Sequence, residues 1–116
     1  MSMELDQDQI NDLKHYYSGL QAVEEGGQKF ILIPQLVLPQ GCSPQTVEGL
    51  LCPSLRDGYT SRLFLSAKVI HKGPGQNWNP ADGVMIAGRK WWAVSWKPNN
   101  NSHFIGMIKA HLEAFK

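Results

Sequence analysis

Between Arg89 and Trp96 the chain gathers Trp91, Trp92, Val94 and Trp96 within eight residues. Aromatic and β-branched side chains fit the pleated surface of a strand better than the crowded flank of a helix, so this run is expected to be extended. Side chains alternate across a strand, which places Trp92 and Trp96 on one face and Trp91 on the other. One of those faces is expected to lie in the core, with the run as its anchor.

A chain of 116 residues has room for one such core and not for two, so a single domain over residues 1–116 is expected. Eleven Lys and Arg oppose ten Asp and Glu, a formal charge of +1, and no basic run of five residues occurs. That removes the electrostatic case for nucleic acid and leaves a protein partner as the better expectation. The first residues, Met1 to Gln9, are acidic and lack the apolar centre of a signal peptide, and no apolar run approaches membrane-spanning length. A cytosolic protein with no membrane partner is expected. Cys42 and Cys52 are then expected as reduced thiols.

Ile10, Leu13, Tyr17 and Leu20 recur at helical spacing, predicting a first amphipathic helix that ends near Gly19 or at the Gly26-Gly27 turn. Lys29 to Val37 reads as a strand, with Pro34 implying an edge position or a bulge because proline cannot donate to a ladder. Residues 38–44 are turn-rich, Thr46 to Cys52 is a second strand closed by Pro53, and 56–59 is a turn. Ser61 to Val69 alternates in the manner of a strand. Residues 73–83 carry Gly, Pro and amide side chains without apolar period, predicting a long irregular loop. After Asn99-Asn100-Asn101, Ser102 is expected to cap a closing helix lined by Phe104, Ile105, Ile108, Leu112 and Phe115.

The order helix, antiparallel meander, long loop, closing helix belongs to an α+β domain. Particular motifs narrow it: Leu38-Pro39-Gln40-Gly41, Cys52-Pro53, Asp57-Gly58-Tyr59 with Ser61 to Leu65, Asn77-Trp78, and Arg89 to Trp96. Over most of residues 20–116 this set resembles the prokaryotic E2-like proteins of the ubiquitin-conjugating superfamily. The resemblance implies a ubiquitin-conjugating-like core acting in a bacterial ubiquitin-like conjugation system, with a ubiquitin-like modifier and a ThiF-type activating enzyme as partners. Relatives of that kind are often encoded with a metal-dependent deubiquitinase-like peptidase as well. In that superfamily a His-Pro-Asn triplet precedes the catalytic cysteine, which follows a Gly and a small apolar residue. Asn77, Gly83 and Val84 fit, but Gly75 and Gln76 replace the His-Pro, and Met85 stands where the cysteine belongs. A thioether has no ionisable proton and carries no acyl group, so thioester chemistry is closed at Met85.

Other chemistry would have to come from other side chains. Asn77 either stabilises an oxyanion, as the resemblance implies, or closes an Asx turn. Asp82 either orients an incoming amine or simply marks the Asp82-Gly83 turn. Ser95 is the hydroxyl that an oxyester carrier would use, with His103 or His71 as base; otherwise it is a small residue within a sheet. Cys42, between Gly41 and Ser43-Pro44, sits on a turn where a thiol can be exposed, although no His or Lys beside it lowers its pKa. Cys52 reads as a small buried hydrophobe. Trp78, in a polar loop, is the aromatic expected to be exposed and to touch a partner, together with Met85.

Metal and other cofactors are not expected: Cys42 and Cys52 are ten apart, His103 and His111 eight apart, and no short chelating pair exists. Gly73-Pro74-Gly75 lacks the Lys-Ser/Thr pair of a phosphate cradle. The leading expectation is an E2-like component that carries or positions a modifier. Its rivals are a protein-interaction module with the same fold, for example a phage-defence accessory, and a small-molecule binder using the Trp-rich sheet.

Overall fold

The computed structural model describes residues 7–54, 56, 58, 61–71, 78, 82–95 and 103–115. Its architecture is α+β, with two helices and antiparallel sheets. The helices are α1 (Gln7–Leu13) and α2 (Phe104–Leu112), the latter followed by a 3-10 turn at Glu113–Phe115. The strands are β1 (Gln21–Glu25), β2 (Gln28–Val37), β3 (Cys42–Ser43), β4 (Thr46–Cys52), β5 (Arg62–Leu65), β6 (Ile70–His71), β7 (Val84–Ile86) and β8 (Arg89–Trp91). Four of them form the main sheet in the order β1-β2-β4-β5, while β3 pairs with β6 and β7 with β8.

The meander follows from local chemistry. Gly26 and Gly27 have φ of +60° and +79°, the left-handed pair that a two-residue hairpin turn needs to match the twist of its strands. They join β1 to β2, with Glu25 opposite Gln28 and Gln21 opposite Leu32. Residues 21–25 are therefore a strand and not the end of the first helix, which stops at Leu13. Hairpin closure decides their conformation, and their mostly exposed side chains carry little strand signal of their own. Of the two expectations for Pro34 the bulge is the one found, since β2 lies inside the sheet between β1 and β4. The β1 partners of β2 end at Leu32, and the register with β4 shifts between Ile33 and Leu36, so Pro34 lies in a bulge beyond the reach of β1.

The main sheet is covered on both sides. Ile31, Ile33, Leu51, Leu63 and Leu65 face Leu13 of α1, Phe104 and Ile108 of α2, and Phe115. Leu36 joins this side because the bulge resets its alternation, and it packs so closely on β4 that a Cβ at Gly49 would lie 2.8 Å from its Cδ2. Phe30, Leu50, Cys52 and Phe64 point the other way, against Ile86, Trp91 and Ala93. All four residues of β5 are thus buried, in keeping with the consecutive apolar run Leu63-Phe64-Leu65.

The Trp-rich run is less regular than expected. After β8 it makes only single bridges, Trp92 to Leu65 and Val94 to Trp78. Leu65 and Trp92 exchange both backbone hydrogen bonds, at 2.6 and 2.9 Å, which closes the β5 edge. Trp91 is the buried anchor, and its indole N–H donates to the Ile86 carbonyl at 3.2 Å. Trp96, like Ser102 and most of the 73–83 loop, lies outside the described residues. The N-cap of α2 is His103 (φ −95°, ψ 138°), whose side chain makes no capping bond. The Phe104 N–H is instead satisfied by Gln9 Oε1 at 2.7 Å, so a side chain of α1 caps α2.

Candidate functional site

The hairpin of β7 and β8 holds Met85, and Asp82 and Gly83 lead into it. Asp82 is exposed at the turn, and Gly83 has φ +83°. A Cβ at Gly83 would come within 2.9 Å of both the Trp91 carbonyl oxygen and Trp92 Nε1, so only glycine brings this turn down onto the Trp strand. Two residues later Met85 pairs with Lys90 and stands 61% exposed, on the outer side of the hairpin. Val84 and Ile86, its neighbours, turn inward. Alternation along a short strand is what presents Met85 to solvent.

Trp78 joins the same strand from the other direction. Its backbone bridges Val94, next to Ser95, and its ring lies 6.3 Å from that of Phe115 at a tilt of 43°. The expectation of an exposed Trp78 is corrected: the residue is half-buried and packs on the helix-side core, because the bridge to Val94 draws it down. Ser95 is half-buried just past that bridge. His103 is exposed at the start of α2. Asn77 lies outside the described residues. The structure thus gathers Trp78, Gly83 and Ser95 along the 91–95 segment, with Met85 on the hairpin that precedes it.

Cys42 is elsewhere. The turn expected around it is strand β3, and the side chain is 6% exposed within the helix-side core, its Sγ 4.0 Å from the Phe115 carbonyl oxygen. Burial pushes the thiol pKa up, so it is held as the neutral, weakly nucleophilic form. Cys52 is fully buried on the opposite side of the sheet, with Sγ 3.6 Å from the Ser54 carbonyl oxygen. Neither thiol of the chain is presented to solvent.

Sequence reasoning passed over one polar cluster. Ser61 (4% exposed) and His111 (5% exposed) meet at 2.9 Å between Ser61 Oγ and His111 Nε2, beside the buried Arg62. Removal from water is the main reason the imidazole pKa falls to about 4, the Arg62 charge adds to the fall, and a hydrogen bond to the Ser61 backbone opposes it. The ring is neutral at physiological pH and ties α2 to the start of β5. The guanidinium of Arg62 donates to the Val94 carbonyl at 3.2 Å and lies 5.3 Å from the Phe64 ring centroid. Spacing gave the signal: His111 falls three residues after Ile108 and seven after Phe104, on the apolar stripe.

Among the described residues no group of three or more His, Cys, Asp or Glu is placed to hold a metal ion. Among the described residues no helix is long and apolar enough to cross a membrane. Clefts flank the core, two of them beside the helices. One, of about 180 Å³, lies between α1 and β1; the other, of about 340 Å³, runs between residues 37–39 and α2. None of the described tryptophans lines either cleft. Comparison with models of protein families, with curated proteins and with solved structures gives no match for this chain.

Proposed function

We propose that this chain is an E2-like component of a bacterial ubiquitin-like conjugation pathway, and that it positions the modifier beside its ThiF-type activating enzyme without forming a cysteine thioester. One observation carries the reading. Met85, at the place of the nucleophile, is exposed on its hairpin, while both cysteines are buried. A site that keeps the exposure of a reactive centre but substitutes an unreactive thioether is suited to contact and not to acyl transfer. The α+β order, with both helices on one face of an antiparallel sheet, is compatible with a ubiquitin-conjugating-like core.

A carrier form of the same idea would use the Ser95 hydroxyl, half-buried beside the Trp78 bridge. The test is to incubate the purified protein with the activating enzyme and ubiquitin-like modifier of the same genome and ATP, followed by intact mass spectrometry and gel filtration. The expected result is co-elution without a covalent adduct, weakened by Met85→Glu. A hydroxide-labile adduct lost in Ser95→Ala would replace positioning by oxyester transfer. A thiol-labile adduct lost in Cys42→Ala would overturn the reading of the buried thiols, and absence of binding would remove the pathway assignment.

A further inference from the structure

The outer side of β1 is an open sheet edge. Among the described residues no strand pairs with it, and four of its five side chains are exposed. The two-residue turn at Gly26-Gly27 fixes which backbone groups that edge offers. In such a hairpin the flanking pair, Glu25 and Gln28, is the hydrogen-bonded one, so Glu25, Val23 and Gln21 direct their N–H and C=O toward β2. Ala22 and Glu24 then direct theirs outward. An unpaired row of this kind is a template for another strand.

We infer that the occupant is β1 of a second copy, paired antiparallel about Val23 so that two sheets join into one. A twofold pairing must set outward-facing residues opposite each other, which leaves three registers centred on Ala22, Val23 or Glu24. Only the register centred on Val23 uses all five residues of the strand. It sets Ala22 opposite Glu24 of the other copy, Gln21 opposite Glu25, and Val23 opposite Val23. No carboxylate faces a carboxylate, whereas the register centred on Glu24 sets like charges in direct opposition. The cleft beside the edge completes the match. Ala22 lies on the α1 side of the sheet and lines the 180 Å³ cleft together with Lys14, Gln7 and Ile10. Opposite Ala22, the Glu24 side chain of the second copy falls on that same side, where it meets the Lys14 ammonium. This surface is separate from the Met85 hairpin and does not rest on the proposed pathway.

Register-specific crosslinking tests it on the full chain. In the pairing described, Val23 sits at a non-hydrogen-bonded position, where opposed Cα atoms lie about 4.5 Å apart, within disulfide reach. With copper-phenanthroline as oxidant, Val23→Cys should therefore form a covalent dimer in most of the population. Gln21→Cys and Glu25→Cys should each stay monomeric alone and crosslink when mixed. Native mass spectrometry of the unmodified chain should show a concentration-dependent species of twice the monomer mass. Ala22→Pro, which removes only an outward donor, should abolish that species while leaving the far-ultraviolet circular dichroism unchanged. A monomer at every concentration, or equal crosslinking of all three cysteine variants, would overturn the inference. So would a dimer indifferent to Ala22→Pro in a folded variant.

Discussion

Acid should weaken this fold through one side chain, His111. Its pKa falls from the ordinary 6.5 to about 4 because the ring is buried and lies near Arg62, with a hydrogen bond to the Ser61 backbone only partly opposing. Between those two values the unfolded chain takes up a proton that the folded chain refuses. Stability is therefore fully present above 6.5 and is lost as pH falls toward 4, where the native ring finally protonates. The gap, about 2.5 pKa units at 1.36 kcal/mol each, gives a loss of about 3 kcal/mol. For a domain of this size that corresponds to a fall in Tm of about 10–20 °C. Urea denaturation at a series of pH values, run on the wild type and on His111→Gln, isolates the effect. Carboxylates titrate alike in both proteins and cancel in the difference, which should shrink by about 3 kcal/mol from neutral pH to pH 4. Parallel stability curves would refute the reasoning, as would a proton NMR titration of the His111 ring with an ordinary midpoint.

Further outcomes follow from packing. Gly83→Ala combines a positive φ with a Cβ 2.9 Å from Trp91 O and Trp92 Nε1, and should cost about 2–3 kcal/mol in urea denaturation. A loss below about half a kcal/mol would mean that the turn is not seated on the Trp strand. Trp91→Ala empties the centre of the hairpin-side core and should lose about 3–5 kcal/mol by the same assay, if the protein folds at all. Cys42 and Cys52 should resist iodoacetamide in the native protein and react readily in denaturant, whereas a thiol introduced by Met85→Cys should be alkylated at once. Fast native labelling at Cys42 would contradict its burial.

Several elements were legible because their cause is local. The strand Thr46–Cys52 is bounded as expected, since Pro53 terminates it. Pro34 marked both a bulge and the end of pairing with β1, because a missing N–H is a property of the residue itself. The Gly26-Gly27 turn was equally plain. What those two glycines join was not: β1 carries a weak strand pattern, helical spacing leaves its residues either within the first helix or beyond its end, and its pairing to β2 comes from closing the hairpin. The short β7 was missed for a similar reason, because three residues hold no period and their partners Arg89–Trp91 supply the strand. Of the candidate site, Asp82 is exposed beside its glycine, as turn chemistry suggests, and Met85 is exposed by alternation along β7. Cys42 and Trp78 differ from expectation because each is pulled onto Phe115, 73 residues from Cys42.

The chain by itself determined its turns, its strand interruptions, the apolar stripe of α2 and the absence of a thiol at position 85. These are decided by backbone freedom, missing donors and side-chain chemistry, which act within a few residues. The tertiary structure alone decided which polar groups lie buried together. Ser61 meets His111 across 50 residues, and Gln9 caps Phe104 across 95. Desolvation depends on everything that surrounds a group, and no window of sequence contains those surroundings.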